Sequence, residues 1–302
     1  MEALFDITVF TPTYNRAYVL PCLYSSLLKQ SKEFSFEWLI IDDGSVDDTE
    51  NIVQTWCDEG LIPIQYHKVK NGGKPRAINK AVEWARSELL FIVDSDDYLS
   101  DTAIGDIMTA YASVRKDNSI AGVGGLRGNE DLIPIKSPQF MNHVDATNLD
   151  RCLWGLDVDC NEAYKIEVLK KYPFEVWDGE LFIPEAVVLN EMALDGYKIR
   201  WIDKVIVVSE YLPDGMTKGA WRLMKKNPMG YAMFYNHKLK YLQRGRERLY
   251  AVAQMIAFVF LAGNINYLLR SHAKMLTVFC LPLGFLLSLR RKLQYKKYCT
   301  DD

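Results

Sequence analysis

Acidic side chains follow two buried strands that the sequence predicts, at the point where each strand ends. Asp42 and Asp43 come directly after one apolar run. Asp94 and Asp96 come directly after another, and ligands of an open α/β sheet bind outside the carboxyl ends of its strands, so both pairs should face one crevice. Carboxylates there repel a phosphate unless a metal ion intervenes. An Asp-x-Asp pair offers the hard oxygens with which Mg²⁺ or Mn²⁺ bridges a diphosphate, although acidic residues are also common in plain turns.

Alternating strands and helices position these acids. The apolar, β-rich runs predict strands over residues 7–10, 38–41, 62–66 and 89–93, and helical spacing predicts helices over 16–28, 47–56 and 75–86. Strands separated by helices are typical of an α/β fold with a doubly wound, mainly parallel sheet and helices on both faces. Further along the chain, a helix is predicted over 184–194 and a strand over 202–208.

Composition excludes several classes of protein. Of 302 residues, 49% are hydrophobic and 25% are charged, which is the balance of a globular protein rather than a disordered one. The net charge of −3 argues against a nucleic-acid binder. It hides an acidic body of −15 over residues 1–210 and a basic tail of +12 over 211–302. Such asymmetry suggests a polyanionic or membrane surface as the partner of the tail.

Cysteine usage and the first residues indicate the compartment. The six cysteines include no C-x-x-C pair and no tight Cys/His cluster, so a reducing cytoplasm is the plain interpretation. The first six residues lack the basic start and apolar run of a secretory signal. No G-x-G-x-x-G motif follows the first strand, which argues against a dinucleotide oxidoreductase.

The tail, residues 221–302, is apolar and basic. Residues 275–289 carry no charge and are followed by Arg290, Arg291 and Lys292. A helix needs roughly 20 apolar residues to span a bilayer, so this stretch is short for a span and predicts a membrane-associating helix that lies in the interface. The alternative is that the tail helices pack on the domain or on a second subunit, as in a homo-oligomer.

Four motifs occur in a characteristic order. They read Thr11-Pro12-Thr13-Tyr14-Asn15-Arg16, Ile41-Asp42-Asp43-Gly44-Ser45, Asn71-Gly72-Gly73-Lys74 and Val93-Asp94-Ser95-Asp96-Asp97. In order and spacing they resemble the family 2 glycosyltransferases, inverting enzymes of the GT-A fold. The likeness covers roughly the first 100 residues and continues more loosely through Pro184-Glu185 and residues 210–215. It implies a catalytic domain over 1–220, with a nucleotide-sugar half (1–100) and an acceptor half (101–220), before the tail.

The resemblance also implies the residues that bind the donor. Tyr14 would stack on the nucleotide base, and Asp43 would accept a hydrogen bond from the uracil N3–H, which favours a uridine donor. Asp94 would reach the ribose, and Asp96 would ligate Mn²⁺ or Mg²⁺. The implied donor-binding residues are Thr11, Pro12, Tyr14, Arg16, Asp43, Lys74, Arg76, Asp94 and Ser95. Simpler interpretations are a turn into a helix for the first acidic pair and solvated helix-end charges for Lys74 and Arg76.

The acceptor half needs a general base. Inverting displacement at an anomeric carbon requires a carboxylate that deprotonates the acceptor hydroxyl. Family members commonly place it in a Glu-Asp pair that opens a helix, whereas this chain reads Pro184-Glu185, so Glu185 is the candidate, with Asp178 and Glu180 in reserve. A Pro-Glu start also suits a plain first helical turn. Family members often place a His or Arg late in the domain to neutralise the diphosphate. Lys218 or Arg222 would take that role here. The sequence does not indicate a third protein ligand for the metal.

The resulting hypothesis is an inverting transferase. It would move a sugar from a nucleotide-diphosphate donor, favoured to be a UDP-sugar, to a hydroxyl of a glycan or lipid-linked glycan in surface polysaccharide assembly. It would work in the cytoplasm, peripheral or monotopic at the inner face of the cell membrane. The alternatives are a nucleotidyltransferase, which would normally show a Gly-rich basic loop near its N-terminus, and a non-catalytic scaffold or binding protein of the same fold, which the missing Glu-Asp pair would suit.

Overall fold

The chain folds as two compact units. A computed structural model describes residues 4–209 and 219–299. The first unit comprises 1–173 and 190–211, and the second comprises 174–189 and 212–302. Lys218 lies outside the described residues. The sequence predicted a division near residue 220, whereas the structure also places the segment 174–189 with the tail.

The first unit contains all nine strands and most of the short helices found among the described residues. The strands are β1 (Phe5–Thr13), β2 (Phe36–Asp42), β3 (Ile64–Lys68), β4 (Ser87–Ile92), β5 (Asp97–Leu99), β6 (Ile120–Gly128), β7 (His143–Ala146), β8 (Cys160–Lys165) and β9 (Lys198–Ser209). The helices are α1 (Leu20–Leu28), α2 (Thr49–Glu59), α3 (Lys74–Trp84), α4 (Ala103–Val114) and α5 (Ile166–Leu169), and α6 (Ala186–Leu194) crosses the boundary between the units.

These strands form one mixed sheet. Its order is β3-β2-β1-β4-β8-β6-β9-β5, and β7 pairs with β9. The pairs that join β1 to β2, β1 to β4 and β2 to β3 are parallel. Strand β8 runs antiparallel to both β4 and β6, and β5 and β7 run antiparallel to β9.

The α/β fold is therefore confirmed, but the sheet is mixed rather than mainly parallel: β6 pairs parallel with β9, whereas β8, β5 and β7 all pair antiparallel with their neighbours. A parallel return to the same sheet needs a crossover connection, usually a helix. Between β6 and β8, the described chain forms β7 and a short 3-10 turn (Arg151–Trp154) but no crossover helix. Strand β8 consequently enters the sheet in the opposite direction, between β4 and β6.

The core of the first unit explains why the predicted apolar runs become strands. Residues 38–41 are fully buried, as are Ile7 and Val9 of β1 and Phe91 of β4. Such continuous apolar runs are typical of parallel strands that are covered on both faces. Trp38 lies beside Trp56 of α2, with 5.7 Å between ring centroids, so the helix is fixed against the sheet by aromatic packing.

The second unit is helical in its described part. Its further helices are α7 (Ala220–Lys226), α8 (Pro228–Lys238), α9 (Arg246–Ala262) and α10 (Lys274–Tyr298), with a 3-10 turn over Ile265–Arg270. Residues 251–259 of α9 are buried one after another, so this helix forms the centre of the unit. Among the described helices, none combines the length and the apolar character that crossing a membrane requires.

Candidate active site

Three neighbouring parallel strands bring the predicted donor residues to one edge of the first unit. Strand β1 lies between β2 and β4, with Thr13 opposite Asp42 and Phe10 opposite Ile92. The backbone N–H of Asp43 donates to the carbonyl of Thr13 at 2.8 Å. The segments that follow these strands therefore start side by side. We call the side of the sheet at which β1, β2 and β4 end the carboxyl edge.

The loop after β1 is tied to the turn after β2. The backbone N–H of Asn15 donates to Ser45 Oγ, and the N–H of Val46 donates to Asn15 Oδ1, both at 2.8 Å. Just before this loop, in β1, the Thr11 hydroxyl is fully buried and accepts a hydrogen bond from Trp38 Nε1 of β2 at 3.0 Å. This side chain therefore joins the two strands below the loop. Tyr14 is 49% exposed, which leaves its ring accessible to a planar ligand.

Asp43 organises the glycine loop that precedes α3. Its Oδ1 accepts the N–H of Gly72 at 2.7 Å, and its Oδ2 accepts the N–H of Gly73 at 2.8 Å. Gly73 has φ +84, a conformation that glycine adopts readily. Burial raises the pKa of Asp43, while the two amides act in the opposite direction. Each carboxylate oxygen has two acceptor sites, so Asp43 keeps the capacity to accept an N–H from a ligand.

The Asp42 carboxylate stabilises the turn that follows β2. Its Oδ1 accepts the N–H of Ser45 at 2.7 Å, and its Oδ2 accepts the Tyr66 hydroxyl at 2.6 Å. The carboxylate is fully buried. These contacts match the turn interpretation of Asp42 that the sequence left open.

Basic side chains reach the carboxyl edge from the start of α3. Lys74 Nζ lies 2.6 Å from Asp94 Oδ1, and Arg76 Nη1 donates to the carbonyl of Gly72 at 2.7 Å. Burial opposes the ionisation of Asp94, but the charge and hydrogen bond of Lys74, together with the charges of Arg127 and Arg16, outweigh it, and the pKa of Asp94 lies below its usual value. The edge therefore carries an ionised carboxylate beside an ammonium group.

Asp97 belongs to a buried network that sequence reasoning missed. Arg127 Nη2 lies 2.5 Å from Asp97 Oδ2, and Arg127 Nε donates to Asn161 Oδ1 at 3.1 Å. Asn161 Nδ2 in turn donates to the carbonyl of Ile92, at the end of β4. The sequence signal for this network was Arg127, a charged residue inside β6, which is otherwise apolar and glycine-rich. The network joins β4, β5, β6 and β8 beneath the acidic segment.

The residues present fit a divalent cation that is shared with a diphosphate. Asp94 is paired with Lys74, and Asp97 is paired with Arg127. Asp96 is half-buried on the turn between them. Among the described residues, no group of three or more His, Cys, Asp or Glu side chains forms a metal cage. Mg²⁺ is commonly held by one or two carboxylates together with substrate phosphates, and Asp96 meets that requirement.

The three carboxylates that the sequence offered as candidate general bases lie in the segment 174–189 of the second unit. Glu185 directly precedes α6, is half-buried, and its carbonyl accepts the N–H of Val188 at 3.0 Å. Asp178 is exposed. Glu180 is buried, and its carboxylate accepts the N–H groups of Met229 and Gly230, both at 2.7 Å. These amides lie in the first turn of α8, where a carboxylate also favours the helix dipole.

Glu180 is therefore expected to matter for stability. Replacing it with Ala leaves two buried N–H groups without this acceptor, which should lower the free energy of unfolding by about 1–3 kcal/mol. Urea unfolding, followed by tryptophan fluorescence, measures the change. The matched control is Glu175→Ala, an exposed acid of the same segment. Equal stability of the two variants would show that the bonds from α8 contribute nothing.

The first unit is an α/β fold that gathers acidic and basic side chains at the carboxyl edge of its sheet. The model of glycosyl transferase family 2 matches residues 8–173, more than half of the chain. The chain therefore belongs to this family of glycosyltransferases, which confirms the resemblance seen in its motifs.

Curated relatives match over part of their length. Poly(ribitol-phosphate) beta-N-acetylglucosaminyltransferase TarP of Staphylococcus aureus (strain N315) is 27% identical over 57% of this chain and 50% of the relative. TarS of S. aureus (strain Mu50), which carries the same activity in its name, is 28% identical over 60% of this chain and 30% of the relative. The matched part of the chain thus spans half or less of the length of these relatives.

Solved structures share the fold. Residues 1–349 of S. aureus TarS in complex with UDP superpose with a TM-score of 0.58 at 17% identity, over 97% of this chain and 91% of that chain. The mannosyltransferase PcManGT of Pyrobaculum calidifontis, in complex with GDP-Man and Mn²⁺, superposes with a TM-score of 0.53 at 18% identity, over 99% and 85%. At these identities the likeness shows the fold alone.

Proposed function

We propose that this protein is an inverting glycosyltransferase. It moves a sugar from a UDP-linked donor to a hydroxyl of a glycan or lipid-linked glycan acceptor in surface polysaccharide assembly. The observation that supports this most is the convergence of Tyr14, Asp43, Lys74 and the segment 94–96 at the ends of three neighbouring strands. This edge offers a stacking ring, an acceptor for an imide N–H and a carboxylate for a metal that bridges phosphates.

The donor is proposed from the chemistry of the site and from the relatives. The Asp43 carboxylate accepts two backbone N–H groups and keeps further acceptor capacity, which suits the N3–H of uracil. TarS has been solved in complex with UDP and with UDP-GlcNAc, and TarP and TarS are named as N-acetylglucosaminyltransferases. UDP-GlcNAc is therefore the first donor to test, and a poly(ribitol-phosphate) chain is the first acceptor.

The proposed transfer is a single displacement. The acceptor oxygen bonds to the anomeric carbon while the bond from that carbon to the β-phosphate oxygen breaks, and UDP leaves with the electron pair. The hydroxyl proton passes to the Glu185 carboxylate. A bound Mn²⁺ or Mg²⁺ on Asp96 would neutralise charge that develops on the diphosphate. Lys74 and Arg76 would supply positive charge at the same edge, an electrostatic contribution that is large in many transfer reactions.

The site of action is proposed to be the inner face of the cell membrane. A lipid-linked acceptor would be met there, and large apolar side chains of the second unit are exposed, among them Phe279 and Leu286. The protein would thus be peripheral or monotopic. The alternative is that these exposed apolar side chains of the tail mediate self-association of the protein.

The proposal is tested by following UDP release and the configuration of the product. The full chain is incubated with Mn²⁺ and UDP-GlcNAc, UDP-Glc or UDP-Gal in turn, with and without a poly(ribitol-phosphate) acceptor. Acceptor-dependent UDP release and a β-linked product, seen by proton NMR, are expected from an α-linked donor. An α-linked product would overturn the inverting mechanism. UDP binding without turnover of any donor would instead favour the non-catalytic scaffold.

A further inference from the structure

Helix α10 exposes a continuous row of large apolar side chains. Residues separated by three or four positions lie on the same side of a helix. On α10 one side carries Met275, Val278, Phe279, Leu283, Leu286, Leu289 and Leu293, all of which are exposed. Phe279 is 77% exposed and Leu286 is 61% exposed. We call these seven side chains the α10 apolar face.

The opposite side of α10 packs against its own unit with small and polar residues. The buried positions are Thr277, Cys280, Gly284, Ser288 and Tyr295. Gly284 packs so closely on α9 that a Cβ would lie 2.4 Å from Ile256 Cγ2. Arg291, on the same side, donates to Gln254 Oε1 at 2.5 Å and stacks 4.3 Å from the ring centroid of Phe258.

Helix α10 thus carries large apolar side chains on its outward side as well as apolar residues on its inward side. A helix on the surface of a water-soluble domain turns its apolar side toward the core and its polar side toward solvent. Here Cys280 and the partly buried Leu276 and Leu281 pack inward beside hydroxyls, a glycine and a guanidinium, while the seven large side chains of the α10 apolar face lie outward. Contiguous exposed apolar surface of this kind marks a site of interaction.

The charges around this face identify the kind of partner. Helix α10 contains no Asp or Glu, and its basic residues are Lys274, Arg290, Arg291, Lys292, Lys296 and Lys297. Lys274 precedes the uncharged stretch 275–289 and the others follow it, and all except the inward-facing Arg291 are available to a partner at this face. A basic rim around an apolar strip complements an anionic lipid surface, because the strip enters the acyl boundary while the cations remain among the headgroups.

We propose that α10 lies in the plane of an anionic membrane surface and inserts its apolar face into it. At about 1.5 Å per residue, the stretch 275–289 is roughly 22 Å long, short of the hydrocarbon core of about 30 Å, so an in-plane position suits it better than a span. A second copy of the chain is a poorer occupant. A two-fold contact with the helices parallel would bring the basic C-terminal ends of two α10 helices together, where like charges repel, whereas an anionic surface attracts them.

This inference deepens the proposed function by naming the partner of the tail, and it is tested without sugar transfer. The full chain is mixed with vesicles of phosphatidylcholine alone or with phosphatidylglycerol added, and bound protein is measured by flotation. Binding to the anionic vesicles is expected, and it should weaken as salt is raised. Phe279→Glu with Leu286→Glu should lower the bound fraction about 10-fold or more, because two charges would enter the acyl boundary.

Matched variants separate the outcomes. Leu61→Glu places a charge at a 63% exposed apolar residue of the first unit and should leave binding unchanged. Neutralising Arg290, Lys292, Lys296 and Lys297 with Gln should remove the preference for anionic vesicles. Far-UV circular dichroism and urea unfolding of each variant show that both units remain folded, so loss of lipid binding alone bears on α10. Equal binding to neutral and anionic vesicles, no binding at all, or a dimer that Phe279→Glu dissociates in vesicle-free solution would overturn the proposal.

Discussion

Replacing Asp96 with Ala is expected to abolish metal-dependent binding of UDP. The neighbouring carboxylates cannot easily substitute, because Asp94 is paired with Lys74 and Asp97 is paired with Arg127. Even residues that only support a metal ligand are worth about 10- to 100-fold in metal affinity, so loss of the ligand itself should cost about 100-fold or more. Calorimetric titration with UDP in Mn²⁺ measures the loss.

The control for Asp96 is Asp101→Ala, an exposed acid a few residues further along the chain. It should bind UDP in Mn²⁺ as the wild-type protein does. Removing Mn²⁺ with a chelator should lower the UDP affinity of the wild-type protein to that of the Asp96 variant. Unchanged UDP affinity of Asp96→Ala in Mn²⁺ would refute the role of this carboxylate as a ligand.

Replacing Glu185 with Gln should separate binding from turnover. Gln keeps the size of the side chain but cannot take the acceptor proton, and a positioned general base contributes about 10²- to 10⁴-fold to rate. Turnover should fall by that factor while UDP affinity stays unchanged, because a general base takes the proton of the acceptor and is not assigned to bind the nucleotide. Steady-state kinetics together with calorimetry measure both quantities.

The reserve carboxylates define the alternative outcome. Near-normal turnover of Glu185→Gln would move the role of base to another acid of the segment 174–189. Asp178→Asn is then the next variant, because Asp178 is exposed whereas Glu180 is buried with its carboxylate bound to the first turn of α8. A loss of turnover in Asp178→Asn but not in Glu185→Gln would reassign the base.

Local patterns predicted the first half of the sheet well, and the reason is physical. Strands β1, β2 and β4 are continuous apolar runs joined by amphipathic helices, so both their type and their parallel order follow from short stretches of sequence. The insertion of β8 between β4 and β6 depends on contacts between distant parts of the chain. No local periodicity reports such pairing, which is why the sheet was expected to be mainly parallel throughout.

The candidate site also contains some features that the local sequence predicted and others that it did not. Motif order singled out Asp43, Asp94 and Asp96 near the ends of β2 and β4, and their roles stay predictions. The bonds from Gly72 and Gly73 to Asp43 needed the three-dimensional fold. For Glu180, the contact with α8 joins positions about 50 residues apart and leaves no signal in the local sequence.

The tail illustrates the limit of composition. The uncharged stretch 275–289 and its basic flank are visible in the sequence and predicted an interfacial helix. Which side of that helix faces the protein depends on its packing against α9, where Gly284 lies so close to Ile256 that a larger residue would collide with it. The sequence pattern alone did not show that the large apolar residues lie outward.

Calorimetric titration of the wild-type protein with UDP, in the presence and absence of Mn²⁺ and beside GDP and CMP, tests the central claim most directly. Asp43, proposed to bind the nucleotide base, and Asp96, proposed to bind the metal ion, lie at one carboxyl edge. We therefore expect that UDP binds, that Mn²⁺ tightens this binding, and that GDP and CMP bind much more weakly under the same conditions. Equal binding of all three nucleotides, or binding of none with Mn²⁺ present, would contradict it.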